Sequence, residues 1–153
     1  MLRVAAADPA SAEALALIAQ LDAALLAITG DSGASSFDPR DVIGEGTAFV
    51  IAYDEQGEAL GCGALRSIEG DVAELKRMYA RPGSGAGAVI LAELERRAAA
   101  FGYRRLWLST RRVNARAVSF YERHGYSPVP PYGRYIGRDT GRNASVCLGR
   151  ELV

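Results

Sequence analysis

The pattern of hydrophobic and polar positions in the first part of the chain predicts one strand, one helix and a loop. Residues 2–6 form a short apolar run that is typical of a strand, and a helix start follows at Pro9 and Ser11. Residues 30–40 are rich in Gly, Ser, Asp and Pro, which predicts a loop with a helical turn near Asp38. The apolar face of the helix consists of Leu15, Leu17, Ile18, Leu21, Leu25 and Ile28.

The middle of the chain has the shorter hydrophobic period of strands. Residues 47–53, 59–66 and 72–79 are strand-like runs, and short polar turns at residues 55–57 and 69–71 join them. Three strands connected in this way predict an antiparallel meander.

A strand, helix, strand crossover follows the meander. Apolar residues recur at helical spacing over residues 89–98, Gly102 ends that helix, and residues 105–110 form the next strand. Asn114 is a suitable N-cap for a further helix, and a final strand is expected at residues 145–149.

Composition favours one hydrophobic core of ordinary size. At 153 residues and 49% hydrophobic content, the chain suits one compact domain, which we expect to span residues 1–153. The 18 basic and 18 acidic side chains cancel, so no overall field favours nucleic acid or an anionic membrane as a partner. The most apolar run, residues 14–28, contains Gln20 and Asp22 and is too short to span a bilayer.

Cysteine usage predicts a soluble, cytoplasmic protein without a metal site. Cys62 and Cys147 are too few for a disulfide framework, and no Cys or His spacing resembles a zinc site. The N-terminal residues match neither a secretory signal nor a transit peptide. We therefore expect both cysteines to serve as small apolar residues.

Basic residues are distributed unevenly along the chain. Lys76 is the only lysine, whereas arginines crowd residues 104–123. This crowding indicates either a solvated face or a rim that attracts phosphate, and the sequence leaves both interpretations open.

A glycine-rich turn between a strand and a helix is the most informative motif. Gly83, Gly85 and Gly87 alternate with Ser84 and Ala86 directly before the helix. Without Cβ atoms a ligand can approach the backbone closely, and the first helical amides have no intrahelical partner. These N–H groups and the helix dipole favour a phosphate or pyrophosphate, although a tight turn alone would also require glycine.

A dinucleotide site is one interpretation of this turn. Gly83, Gly85 and Ala88 satisfy the pattern Gly-x-Gly-x-x-Gly/Ala, which would suit NADP. That fold expects an early hydrophobic strand before the turn and an acidic residue after the next strand. Here residues 73–79 are charged and the next strand ends in arginines, so an NADP-binding domain is the lesser alternative.

Several segments together resemble the GNAT superfamily of N-acetyltransferases. They are Gly61-Cys62-Gly63-Ala64-Leu65-Arg66, then Ala73-Glu74-Leu75-Lys76-Arg77-Met78-Tyr79-Ala80-Arg81-Pro82, then Asn114 with Ala117, and Ser119-Phe120-Tyr121-Glu122-Arg123-His124-Gly125-Tyr126. Pro82 departs from the family pattern, because it stands where Arg or Gln is usual, in a shortened loop. Amides of the turn should still bind pyrophosphate, and CoA affinity is the property expected to differ from the family norm.

The resemblance implies an α+β (mixed α/β) fold with a central, mostly antiparallel sheet that is splayed between strands 4 and 5 and flanked by helices. It implies acetyl-CoA as the acyl donor, with the thioester in the gap between those strands. Members often pair, so it also admits a homodimer. The implied cofactor contacts are Met78, Tyr79, Ala80, Gly83, Ser84, Gly85, Ala86, Gly87, Ala88 and Asn114, of which the last also suits an N-cap.

The resemblance further implies direct transfer of an acetyl group to a primary amine of a small molecule or peptide. Tyr121 matches the family tyrosine near the thioester sulfur and would act as general acid, although it would also suit a core position beside Phe120. Glu74 is the candidate base for the amine proton, directly or through water, or else a surface charge. A backbone N–H near Tyr79 would stabilise the oxyanion.

Acceptor contacts are predicted from charge on the meander strands. Those of Arg66, Lys76 and Arg77 that face the cleft would hold a carboxylate of the amine substrate, and Tyr132 and Tyr135 in the loop at residues 128–142 would wall the pocket.

Two alternatives remain, one for the role of His124 and one for the function of the protein. His124, the only histidine, lies just before Gly125, which favours a capping role over catalysis. A non-catalytic acyl-CoA-binding module would share the cofactor site and lack turnover.

Overall fold

The computed structural model describes residues 1–34, 37–137, 141 and 144–152, which form seven strands and three α-helices. The strands are β1 (Arg3–Ala6), β2 (Ala48–Tyr53), β3 (Ala59–Glu69), β4 (Val72–Ala80), β5 (Arg105–Arg111), β6 (Ser127–Pro128) and β7 (Ser145–Glu151). The helices are α1 (Ala12–Thr29), α2 (Ala86–Ala100) and α3 (Ala115–Arg123), with short 3₁₀ helices at Pro39–Val42 and Gly133–Tyr135.

The strands form one sheet in the order β1-β2-β3-β4-β5-β7-β6. Every neighbouring pair is antiparallel except β4 and β5, which are parallel. β4 and β5 are parallel because α2, which connects them, returns the chain to the edge of the sheet at which β4 begins. The predicted meander, crossover and α+β fold class are confirmed.

Helices cover both faces of the sheet and divide the core into two clusters. On one face Ile90 and Leu94 of α2 pack with Leu106 of β5, and α3 joins the same cluster. On the other face Leu17 of α1 packs with Ile51 of β2. Each fully buried Leu or Ile contributes about 1.5–3 kcal/mol relative to an exposed position.

Helix α1 has a narrower buried face than its apolar sequence predicts. Ala14, Leu17 and Leu21 are buried, whereas Leu15 and Ile28 are exposed, which corrects the predicted apolar face. Only the side of the helix that is turned to the sheet is covered, and this helix is apolar on its other sides as well.

The length of α1 also differs from the expectation. The helix has 18 residues with a mean hydropathy of 1.6, so length and composition alone would allow it to cross a membrane. In this structure it lies against the sheet, and its Asp22 forms an ion pair with Arg77 of β4.

The predicted helix ends are confirmed. The Ser11 hydroxyl accepts the N–H of Ala14 at 3.2 Å, and Asp38 caps the first 3₁₀ helix. Gly102 has a left-handed φ of 94° after α2. The loop predicted at residues 128–142 contains β6 and the second 3₁₀ helix, while residues 138–140 and 142 lie outside the described residues.

Candidate active site

The sheet opens between β4 and β5, as the resemblance implied. The two strands pair only from Val72 with Arg105 to Glu74 with Trp107, and past that point they diverge. A cavity of about 190 Å³ lies in the gap. Its polar and charged lining residues are Thr29, Asp31, Lys76, Arg77, Ser109, Thr110, Arg111, Asn114, Tyr121, Tyr135 and Ser145.

A β-bulge, which sequence reasoning missed, bends β4 beside the cavity. One residue of β3, Gly63, faces both Arg77 and Met78 of β4. Arg77 has a φ of 52°, in the left-handed region that residues with a Cβ rarely adopt. A Cβ at Gly63 would lie 2.6 Å from the Met78 sulfur and 2.8 Å from Ile90, so glycine is required here. The glycine was the only sequence signal for the bulge.

The two cysteines are buried, as expected for small apolar residues. Burial raises the pKa of Cys62 to about 12, and its thiol donates to the Arg77 carbonyl at 3.4 Å. Burial raises the pKa of Cys147 as well. Both thiols therefore stay protonated near neutral pH, which makes them poor nucleophiles.

The glycine turn joins β4 to α2. Gly83 and Gly85 have φ values of 78° and 74°, so the backbone of the turn requires both glycines. The Ser84 hydroxyl accepts the N–H of Ala86 at 3.2 Å. Gly85 is the N-cap of α2, and the first turn of the helix contains no acidic residue. The positive end of the helix dipole is thus left without a local carboxylate, as an anion site requires.

The third glycine of the motif serves packing. Gly87 lies in the first turn of α2, where a Cβ would be 3.4 Å from the ring of Phe120. Glycine at this position therefore lets α2 and α3 pack closely beside the turn. Ala88 is exposed in the same helical turn.

Tyr121 of α3 lines the cavity with 7% of its surface exposed. Its ring packs edge-on against Phe120 and Tyr126, so Tyr121 also occupies the core position expected beside Phe120. Burial raises the pKa of the Tyr121 hydroxyl above its ordinary value. The phenol therefore keeps its proton at neutral pH, as a proton donor must.

Asn114 caps α3, as expected, and its contact with the cofactor stays a prediction. Its side chain accepts the N–H of Ala117 at 3.4 Å as the N-cap of α3, and it also lines the cavity. His124 is the C-cap residue of α3, and its Nδ1 lies 2.7 Å from the Phe120 carbonyl oxygen. This arrangement supports the capping role of His124.

Glu74 is fully buried, so the alternative that it is a surface charge is wrong. Its Oε1 accepts from Arg66 Nε at 2.8 Å, and its Oε2 accepts from the Tyr132 hydroxyl at 2.7 Å. The Tyr132 ring in turn packs on Trp107 and Tyr135. Glu74 is the centre of a buried polar network next to the cavity, outside its described lining.

The predicted acceptor contacts Arg66, Arg77 and Tyr132 all have partners within the protein. Arg66 and Tyr132 are bonded to Glu74, whereas Arg77 pairs with Asp22 and donates from Nη1 to the Ser32 carbonyl at 3.2 Å. Of these three residues, Arg77 belongs to the described lining of the cavity. Their role in acceptor binding stays a prediction.

Lys76 and Tyr135 face each other in the cavity wall. Lys76 has 7% of its surface exposed, and its Nζ donates to the Tyr135 hydroxyl at 3.0 Å. Sequence reasoning offered Lys76 as a carboxylate contact if it faced the cleft, and Tyr135 as a wall of the pocket. Both roles stay predictions. The available signal was the alternation along β4, which puts Glu74 and Lys76 on the same face.

The residues present fit coenzyme A. Past Glu74, β4 has no partner on its β5 side among the described residues, so the main chain of Met78, Tyr79 and Ala80 is open to an extended ligand. The glycine turn follows this edge directly. One extended molecule that ends in a diphosphate therefore matches both features.

Known relatives agree with this assignment. The model of the acetyltransferase (GNAT) family matches residues 20–126. An uncharacterized N-acetyltransferase of Schizosaccharomyces pombe is 33% identical over 87 residues, or 54% of this chain and 53% of that protein. The IAA acetyltransferase of Azospirillum brasilense is 32% identical over 91 residues, or 57% of this chain and 59% of that protein. The chain thus spans about half the length of these curated relatives.

A solved structure extends the comparison to the whole chain. A protein of Klebsiella pneumoniae subsp. pneumoniae, provisionally named an acyl-CoA N-acyltransferase, is 29% identical with a TM-score of 0.80 and covers 100% of this chain and 99% of its own. The family uses acetyl-CoA as donor, which confirms the donor that the sequence implied. Since the family model matches most of the chain and the fold is shared, this protein belongs to the acetyltransferase (GNAT) family.

Proposed function

We propose that this protein is an acetyl-CoA-dependent N-acetyltransferase that moves an acetyl group directly to a primary amine of a small molecule or peptide. The observation that carries this proposal is the buried phenol of Tyr121 in the gap between β4 and β5. The open edge of β4 leads from that gap to the glycine turn, so donor binding and proton donation share one site.

The main chain would hold the donor. Residues 78–80 would pair with its extended arm like an added strand, and the amides of residues 83–88 would bind its diphosphate. When bound, acetyl-CoA supplies an acyl group that is activated towards an amine by its thioester. Asn114 faces the same cavity and offers a polar side chain to the arm.

Tyr121 would give its proton to the departing thiolate. Because burial raises its pKa, the hydroxyl is protonated at neutral pH and has a proton to donate towards the sulfur as negative charge develops there. A positioned general acid contributes about 10²–10⁴-fold to a rate. The buried, protonated Cys62 and Cys147 favour direct transfer over an acyl-cysteine intermediate.

Glu74 would accept the proton of the amine through Tyr135. Tyr135 lines the cavity, whereas Glu74 lies behind it. Burial, then the charge of Glu74, raise the pKa of the Tyr135 hydroxyl, so the phenol remains neutral. Tyr135 would relay the proton of the amine from the cavity to the carboxylate.

The test is thiol release from acetyl-CoA by the full chain with a broad panel of primary amines, beside calorimetric titration with CoA and with NADP. We expect CoA binding and amine-dependent thiol release. Tight CoA binding without turnover of any amine would favour the non-catalytic binding module. Binding of NADP in the absence of CoA binding would overturn both interpretations.

A further inference from the structure

We propose that Lys76 forms an anion subsite in the acceptor end of the cavity, so that the preferred acceptor is an amine that also carries a carboxylate. This inference rests on the proposed function, because it names the substrate class of the same site. It concerns the chain's only lysine, at a position to which neither the family match nor the relatives assign a role.

The position of Lys76 favours a ligand in the cavity. Its side chain is buried and lines the same cavity as Tyr121. An ammonium group has three N–H donors. Within the described part of the chain, Nζ has one hydrogen-bond partner, the Tyr135 hydroxyl at 3.0 Å. A buried ammonium with donors to spare is costly unless an anion completes its shell.

The nearest carboxylate does not fill that shell. Glu74 lies two residues away on the same strand face, but its two oxygens accept from Arg66 and from Tyr132. Burial lowers the pKa of Lys76, the charge of Glu74 opposes this effect, and the charges of Arg66, Arg134 and Arg77 add to the lowering. Glu74 thus helps to keep Lys76 charged without occupying its donors.

The remaining charges of the described lining are balanced locally. Arg77 pairs with Asp22 of α1, and Arg111 Nη2 lies 3.2 Å from an Asp31 carboxylate oxygen. Lys76 is therefore the excess charge of the cavity. A carboxylate would be attracted to it, whereas a second ammonium group, as in a polyamine, would be repelled.

The experiment compares acids with their amides as acceptors. Free amino acids and the matching primary amides are offered to the wild type, to Lys76→Met and to Arg104→Met. Arg104 is an exposed cation just before β5, at the end of that strand away from the cavity, so its loss changes the net charge equally. The amides have the more easily deprotonated amine, so intrinsic reactivity opposes the expected preference.

We expect the wild type and Arg104→Met to prefer the acid by about tenfold or more in kcat/KM, as one charge-assisted hydrogen bond implies. Lys76→Met should lose this preference, so that its ratio of kcat/KM for the acid to kcat/KM for the amide approaches one. Equal rates for acid and amide in the wild type, or an equal loss of both in Lys76→Met, would overturn the subsite.

A binding measurement separates this inference from the proposed function. With CoA bound, calorimetry should show tighter binding of the acid than of the amide, and Lys76→Met should abolish the difference. Failure of every amine to react would reject the acetyltransferase function and leave the binding result to decide the subsite. If Lys76→Met shows no cooperative melting, Lys76→Gln, which keeps a polar head group, takes its place under the same criteria.

Discussion

The two ends of the active-site gap are built in different ways. The donor end is one continuous segment, residues 78–88, and offers mainly main-chain groups. The acceptor end gathers side chains from α1, β4, β5, the late loop and β7. A continuous main-chain site can be recognised from local motifs, whereas a site of gathered side chains depends on how distant elements pack.

The donor end is fixed by the backbone, whereas the acceptor end would determine which amine binds. Left-handed glycines and a helix start fix the donor end, so it suits a ligand that all family members share. The acceptor end depends on ion pairs and hydroxyls that elements distant in sequence bring together. We therefore expect substitutions to affect one end and spare the other.

The largest effect is expected at the point where the two ends meet. Tyr121→Phe should lower kcat by about 10²-fold or more, because it removes the proton donor and keeps the packed ring. CoA affinity should not change. Rates of thiol release and CoA calorimetry measure both, and Tyr103→Phe, which loses only a hydrogen bond to the Gly46 carbonyl, is the control. Full activity of Tyr121→Phe would remove the proposed acid.

The ion pair that holds β4 to α1 should show the next largest effect. Asp22→Asn leaves the Arg77 guanidinium, with 4% of its side chain exposed, without its counter-charge. We expect a loss of about 2–3 kcal/mol in unfolding free energy, below the value for a fully buried pair because Asp22 is 31% exposed.

Chemical denaturation checks the Asp22 prediction, with Glu151→Gln as its control. That substitution breaks the exposed pair with Arg105 and should cost about 1 kcal/mol or less. CoA affinity of folded Asp22→Asn should match the wild type. Equal losses in the two variants would show that the Asp22–Arg77 pair stabilises the fold no more than an exposed pair does.

Glu74→Gln tests whether the buried network is structural or also catalytic. Loss of the charged partner of Arg66 should cost about 1–3 kcal/mol of stability, and loss of the base should lower kcat in addition. Tyr132→Phe is the matched variant, since it removes a hydrogen bond to Glu74 and keeps the carboxylate. Melting curves and kcat values of both variants show whether the network is structural or also catalytic. Unchanged kcat in Glu74→Gln would leave the residue a structural role alone.

The smallest change in stability is expected at the donor end. Gly85 and Gly57 have φ values of 74° and 80°, with open space where a Cβ would be placed, so alanine at either should cost about 1 kcal/mol. Gly85→Ala should also weaken CoA binding, because the new methyl group lies at the proposed diphosphate site. Calorimetry should show no such loss in Gly57→Ala. Equal CoA affinity of the two variants would place the diphosphate elsewhere.

Much of the fold could be predicted from the sequence, because helix ends and turns depend on nearby residues. Ser11, Asn114 and Gly102 act at the helix boundaries where their chemistry placed them. The prediction of which side of α1 is buried was wrong. An alanine-rich helix is apolar on several sides, and only packing against the sheet determines which of them is buried.

The candidate site likewise has features that local motifs indicate and features that only tertiary packing reveals. The glycine turn and Tyr121 were identified from motifs within one segment each. The bulge at Arg77 was not, because only pairing of β3 with β4 reveals that Gly63 faces two residues. The ion pair of Arg77 with Asp22 joins positions 55 residues apart, and no local pattern indicates it.

The sequence by itself determined the order of the elements, the glycine-rich turn and the helix that carries the phenol, since each depends on backbone preferences over a few neighbouring residues. Only the tertiary structure decided that Arg66 and Arg77 have internal partners and that Lys76 is the excess charge among the described residues that line the cavity. The physical reason is that a buried charge is satisfied by whichever group the strand register and helix packing bring within hydrogen-bond distance.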